Sequence, residues 1–127
     1  DTLTGSTAPK KKVVLPPLAE GMGIVPRVIR QIFSEIATNS KSHYDLKVAF
    51  MEIYNDEIID LLNPSEKSKS PQIRERSDGQ VYVAGVVEES VTSPHEMLDC
   101  LDRGTLCRHS GSTMMNAHSS RSHAVYT

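Results

Sequence analysis

The chain has 127 residues, the length of one ordinary domain, and a formal net charge of -2 with 24% charged residues. No global basic field therefore argues for nucleic acid, and no acidic excess argues for a disordered tail. The 38% hydrophobic share, with 5% aromatics and no tryptophan, is modest but globular, and neither a ~20-residue apolar run nor the apolar core of a signal peptide is present, so the expectation is a soluble intracellular protein without a membrane partner.

In chain order, residues 1–22 are rich in Gly, Pro, Ser, Thr and Lys without apolar periodicity and read as a flexible lead-in, with Lys10, Lys11 and Lys12 as a solvated charge run. From Gly23 onward Val25, Val28, Ile29, Ile32, Phe33 and Ile36 recur at helical spacing, with Pro26 in the first turn where a proline is tolerated. This predicts an amphipathic helix with Arg27, Arg30, Gln31 and Glu35 towards water, ended by a polar turn over residues 38–42. Residues 46–54 are almost continuously apolar, broken by Lys47 and Glu52, which predicts a central strand of a covered sheet and an α/β fold class. Few candidate partners for that strand are visible, so exposed edges and marginal stability of the isolated chain are expected. Residues 58–62 read as a short helical or irregular segment stopped by Asn63 and Pro64.

After a Ser/Lys/Pro loop, residues 72–75 and 81–87 read as short hairpin strands, with Asp78 and Gly79 as the turn signal. Ser93, Pro94 and Glu96 form a capping box with Glu96 reaching back to the Ser93 N–H, so a helix starts there. Met97, Leu98, Leu101 and Leu106 supply its apolar stripe, while Gly104 weakens its middle by roughly 1 kcal/mol relative to alanine. Another strand begins after His123.

Cys100 and Cys107 fall in that helix and are separated by about 10 Å along its axis, beyond disulfide reach, so both read as free thiols. They form no zinc signature with His118 and His123, and Ser122 beside His123 does not make a hydrolase. His43, His95 and His109 read as surface residues.

Between the last helix and the last strand lies Asn116-Ala117-His118-Ser119-Ser120-Arg121-Ser122-His123, three hydroxyls, a guanidinium, a carboxamide and two imidazoles with nothing apolar larger than alanine. Burying so many polar groups costs a few kcal/mol for each left unpaired, so the stretch belongs in a loop, solvated or folded around a polar ligand. Hydroxyls and backbone N–H groups suit phosphate oxygens and a Mg²⁺ shell, and an arginine fork suits a carboxylate or phosphate.

This octet resembles the switch I signature of kinesin motor domains, Asn-x-x-Ser-Ser-Arg-Ser-His, and residues 52–62 resemble the kinesin Glu-Ile-Tyr-Asn-Glu-x-Ile-x-Asp-Leu-Leu block, whose role is structural. The resemblance covers residues 23–127 as part of a P-loop motor fold, a central sheet flanked by helices, with the stretch at residues 23–27 leaning towards the chromokinesin-like group. It implies an ATP-dependent, microtubule-based motor with ATP and Mg²⁺ as ligands and a cytoplasmic, cytoskeletal location that leaves nuclear or spindle association and dimerisation through other regions open. Carried over by residue, Asn116, Ser119 and Ser120 would approach the γ-phosphate and attacking water, Ser122 the Mg²⁺ shell, and Arg121 a switch II carboxylate. Arg74, Arg76 and Tyr82 would face tubulin, in a patch diluted by Glu75, Asp78, Glu88 and Glu89. A Walker A Gly-x-x-x-x-Gly-Lys-Ser/Thr and the switch II Asp-Leu-Ala-Gly-x-Glu do not occur among these residues. The expectation is that they do not turn over ATP alone, and the alternative is a non-catalytic interaction module that binds microtubules or another partner without ATP turnover.

Overall fold

The computed structural model describes residues 14, 15, 17, 19–39, 41–64, 70–112 and 121–127. The chain runs α1 (Ile24–Thr38), β1 (Leu46–Val48), β2 (Phe50–Tyr54), β3 (Glu57–Asp60), β4 (Gln72–Glu75), β5 (Val81–Ala84), β6 (Glu89–Val91), α2 (Pro94–Ser112) and β7 (His123–Tyr126). Most of the expected lead-in at residues 1–22 lies outside the described residues.

Helix α1 follows its periodicity except at Val28, expected in the apolar stripe but exposed, and at Arg30, expected towards water but half-buried. Ile29 and Phe33, four residues apart on one face, are buried, while Arg27, Gln31 and Glu35 are exposed. Pro26 sits in the first turn, where the missing N–H has no intrahelical partner to lose. The far end closes when the Asn39 N–H and the Thr38 hydroxyl both donate to the Glu35 carbonyl.

The expected central strand is two strands that change partners at Ala49. β1 pairs antiparallel with β6, Leu46 opposite Val91, whereas β2 lies between β3 and β7 in a three-stranded antiparallel sheet. Ala49 exchanges both backbone hydrogen bonds with Thr127, at 2.9 Å each, and joins the two stretches. Two differences from the sequence reading have physical causes. Of residues 58–62, expected as helical or irregular, the first three join Glu57 in β3, because Asn55 and Asp56 take up left-handed conformations, φ 49° and 62°, and turn the chain as a two-residue hairpin. With β3 and β7 on its two edges, β2 also has the partners that the sequence did not reveal. Every strand pairing among the described residues is antiparallel. The Asp-Gly hairpin forms as expected, with Gly79 at φ 83° and Arg76 N–H donating to the Gln80 carbonyl across a three-residue loop.

Helix α2 starts at its capping box, with Ser93 Oγ accepting from the Glu96 N–H at 3.2 Å. The Glu96 carboxylate goes one residue further back than expected, accepting from the Thr92 N–H at 2.6 Å and the Thr92 hydroxyl at 3.2 Å. The buried stripe also differs: Met97, Cys100 and Gly104 face inward, and Leu106 is 68% exposed. Gly104 is there because the Phe50 ring occupies the space a side chain would need, a Cβ at that position lying 2.0 Å from Phe50 Cδ1. Tyr126 closes the contact from β7, its ring edge-on to Phe50 with centroids 5.3 Å apart and its hydroxyl donating to the Met97 carbonyl at 2.6 Å. Burial pushes the Tyr126 phenol up to about 12. Ile29, Phe33, Val48, Val91, Met97 and Cys100 make the core where α1, α2 and the β1–β6 pair meet.

Two carboxylates fasten the periphery. Buried Asp60 accepts from the backbone N–H groups of Leu62, Asn63 and Val87, tying the end of β3 to the segment after β5. Glu89 on β6 takes both arms of the Arg103 fork, accepts from the Cys100 thiol at 3.3 Å, and is joined through Arg103 to Asp99.

Two stability predictions follow from these contacts. Gly104→Ala gains about 1 kcal/mol of helix propensity but overpacks Phe50 at a cost of about 1–3 kcal/mol, so the thermal midpoint of the protein carrying it falls; a rise in that midpoint would show that α2 does not lie this close to β2. The Arg103 hydrogen bond holds the Glu89 carboxyl below its ordinary value of 4.5. Its stabilising contribution is therefore complete above about pH 4.5 and is lost as pH falls through the lower folded-state value. Glu89→Gln should flatten the fall in thermal midpoint with acidification below that pH, and an unchanged acid limb would exclude the role.

Candidate functional site

The elements that hold α2 against β2 also build a polar junction at the foot of the octet. Phe50 and Glu52 are two apart on β2 and face the same way, while Gly104 and Arg108 are four apart on α2. These steps, about 6.6 Å along a strand and about 6 Å along a helix, match. The Phe50–Gly104 contact therefore brings Arg108 over Glu52, with Nε 3.5 Å from Oε1 and the Glu52 side chain only 3% exposed. Removing one member of such a buried pair generally costs about 3–5 kcal/mol, because a charge stays behind in a poor solvent.

Arg108 also reaches the chain as it returns from the octet. Its Nη2 donates to Ser122 Oγ at 2.9 Å and makes a longer contact, 3.4 Å, with the Ser122 carbonyl. Ser122 is half-buried, whereas Arg121 and His123 are exposed. The register of β7 on β2, His123 opposite Ile53 and Ala124 opposite Glu52, fixes the next residues. Of the site residues expected from the sequence, Arg121 and Ser122 are thus placed at the mouth of β7. Asn116, Ser119 and Ser120 lie outside the described residues. The sequence reading missed Glu52, treating it as an interruption of an apolar strand, and assigned no role to Arg108. The available signal was a charge in an otherwise buried strand, which requires a partner of opposite sign.

The hairpin residues are brought together. Arg74 lies directly opposite Tyr82, and the Arg76 guanidinium carbon stands 5.1 Å from the Tyr82 ring centroid, a cation–π contact. Three of the four acidic neighbours expected to dilute this face are directed elsewhere, while Asp78 stays in the exposed turn, where it accepts from the Gln80 N–H. Alternation along β4 puts Glu75 on the other face with Ile73 and Val81. Glu88 lies 3.8 Å from Lys47, and Glu89 is held by Arg103. Within the paired strands, Arg74 and Tyr82 share one face and Ile73, Glu75, Val81 and Val83 the other.

Cys100 and Cys107 are free thiols, as expected. Burial pushes both above the ordinary thiol range, Cys100 further through Glu89 and Cys107 further through Glu52 and Asp60. Among the described residues no three His, Cys, Asp or Glu side chains are grouped to hold a metal ion, and no helix is long and apolar enough to cross a membrane. His43, His95 and His109 are exposed.

The kinesin motor domain family model matches residues 2–127. Kinesin-related protein 8 of Dictyostelium discoideum is 47% identical over 109 residues, covering 85% of this chain and 6% of that protein. The human chromosome-associated kinesin KIF4B is 42% identical over 106 residues, covering 84% of this chain and 9% of that protein. A solved structure of a fast kinesin superposes with a TM-score of 0.73 at 36% identity, over 82% of this chain and 29% of that one. The chain therefore spans less than a tenth of these curated relatives and under a third of the solved motor. Its mixed helices and antiparallel strands, joined through the Phe50–Gly104 contact, are part of a kinesin-type motor fold, and the chain belongs to the kinesin family.

Proposed function

We propose that these residues are the switch I and tubulin-facing portion of an ATP-dependent, microtubule-based motor, residues 1–22 leading into a motor segment over residues 23–127. The observation that carries this reading is the complete Asn116–His123 motif, set between the end of α2 and the start of β7, with Ser122 braced by Arg108 at 2.9 Å. Phosphoryl transfer asks a protein for positioning and charge neutralisation more than for covalent chemistry. In that role Asn116, Ser119 and Ser120 approach the γ-phosphate and the attacking water, Arg121 pairs with a carboxylate supplied from elsewhere in the motor, and Ser122 stands near the Mg²⁺ shell.

The donor set fits such ligands. Ser122 Oγ spends one lone pair on Arg108 and keeps another with its proton, and a hard hydroxyl oxygen suits Mg²⁺. The exposed Arg121 guanidinium suits a carboxylate or phosphate oxygen. When bound with ATP, Mg²⁺ neutralises charge between the β- and γ-phosphates; what this chain contributes is hydroxyl, amide and guanidinium donors at fixed places. The Arg74–Tyr82–Arg76 face offers an acidic partner surface cationic and stacking contacts, so it is the surface assigned to tubulin. The protein is accordingly placed on the microtubule cytoskeleton. The name of the chromosome-associated relative makes the spindle the location to examine, and any dimer forms through regions outside these residues.

The second reading is a motor-like module that binds microtubules without ATP turnover. It is favoured by the lack of a Gly-x-x-x-x-Gly-Lys-Ser/Thr within these residues, which alone cannot cradle a triphosphate in the known way.

Phosphate release by the full-length protein, measured with and without microtubules, separates the two. The motor reading expects stimulation that Ser120→Ala reduces by about 100-fold, the scale seen when one donor to a developing charge is removed, with the thermal midpoint unchanged. Microtubule co-sedimentation without stimulated phosphate release would establish the module instead.

A further inference from the structure

The chain contains two Ser-Pro pairs, and the fold treats them differently. At Ser93-Pro94 the hydroxyl caps α2 by accepting from the Glu96 N–H and the proline is fully buried, so that serine is not offered to another protein. At Ser70-Pro71 the serine is exposed and only the proline is half-buried. A proline disfavours the helical conformation in the residue before it, which favours an extended Ser70. Pro71 is seated beside Gly85, its Cα 3.7 Å from the place a Cβ on that glycine would take. An exposed hydroxyl on an extended chain, followed by proline, is what a proline-directed protein kinase accepts.

Ser70 also stands between two grooves of opposite electrostatic character. It lines one with Asp56 and Glu57, and the other, of about 280 Å³, with Gln72, Arg74, Ala84 and Gly85. A phosphate on Ser70 would carry a charge of about -1.5 to -2 and three strong acceptor oxygens. The two carboxylates repel it from the first groove, while the Gln72 amide and the Arg74 guanidinium draw it into the second. Strand alternation sets Ser70, Gln72 and Arg74 on one side of β4, and Arg74 makes no ion pair among the described residues. Arg74 lies opposite Tyr82, on the face assigned to tubulin.

We propose that Ser70 is a phosphorylation site for a proline-directed protein kinase, and that its phosphate occupies Arg74 and weakens the hairpin's hold on an acidic partner. The inference rests on the reading of the β4–β5 hairpin as tubulin-facing, and it adds to that surface a means of regulation. In the transfer the Ser70 oxygen bonds to the γ-phosphorus of ATP held by the kinase. The bond from that phosphorus to the oxygen bridging to the β-phosphate breaks, ADP leaves, and the hydroxyl proton passes to the kinase's base. The phosphate then acts twice, engaging the guanidinium and adding negative charge that an acidic surface repels.

Full-length protein incubated with ATP and a purified proline-directed kinase should take up phosphate at Ser70, located by peptide mass spectrometry. Its microtubule Kd, measured by co-sedimentation, should rise about tenfold above that of Ser70→Ala taken through the same reaction, which carries any other phosphates. A phosphate held by Arg74 is withheld from other proteins, so alkaline phosphatase should release it about tenfold faster from Arg74→Gln than from the native chain. No uptake at Ser70, an unchanged microtubule Kd after uptake, or release at one rate from both proteins would each overturn the inference. The tubulin-facing reading is tested apart from it by unmodified Arg74→Gln, whose microtubule Kd should rise several-fold. A native Kd for that variant overturns the reading itself, whereas a raised Kd beside an indifferent Ser70 phosphate overturns only the regulation.

Discussion

The close approach of α2 to β2 at Gly104 and Phe50 is the constraint on which the rest of the described fold depends. With a hydrogen in place of a side chain at position 104, an aromatic ring from the sheet lies directly on the helix backbone. That ring is pinned from the far side by Tyr126, whose hydroxyl returns to α2 at the Met97 carbonyl. Three elements are thereby fixed at one point, and the penalty for a glycine inside a helix, about 1 kcal/mol, is offset by the aromatic packing it permits. One helical turn further on, the same proximity turns a potential liability, a carboxylate inside a strand, into a buried ion pair.

The parts of this arrangement governed by local rules were legible in the sequence. α1 follows from six apolar residues at helical spacing, the start of α2 from a capping box and the β4–β5 turn from Asp-Gly. β3 was not legible, since its Asn55-Asp56 turn lacks the glycine that usually marks two left-handed residues, and an apolar run of four or five residues has no period of its own. β6 was hidden for a similar reason: Glu89, Ser90 and Val91 have no strand-like pattern, and they form one only because β1 offers an edge and Arg103 takes up the glutamate. The α2 stripe was misread where it includes Gly104, because a search for apolar side chains cannot register a position whose function is to have none. Of the candidate site, the residue types were legible and the supports were not. Glu52 and Arg108 are 56 positions apart in the sequence, and only the packing of α2 on β2 makes them neighbours.

Charge around the β4–β5 hairpin is also decided by geometry more than by composition. The net charge of -2 and the acidic residues around the hairpin argued against a basic surface. Strand alternation and pairing redistribute them, so that Glu75 leaves the Arg74–Tyr82 face and Glu88 and Glu89 are engaged by Lys47 and Arg103. A long-range field is thereby kept weak while a short-range one remains. At physiological ionic strength charges beyond about 8 Å are largely screened. The charges of Arg74 and Arg76 therefore act only at close range.

Strand β2 organises the surroundings of Ser122. Its Ile53 sets the register of His123, its Glu52 aims Arg108 at Ser122, and its hairpin with β3 ends at Asp60, whose carboxylate holds the Val87 amide in the segment that follows β5. Binding residues are commonly carried on loops positioned by a rigid frame. Here the frame grips the C-terminal foot of the octet by two independent means, backbone pairing for His123 and a guanidinium clamp for Ser122. A constraint applied at one point can be relieved by rotation about it, whereas two applied to successive residues leave little freedom. Any ordering of the octet would therefore be met at its downstream end by the sheet itself.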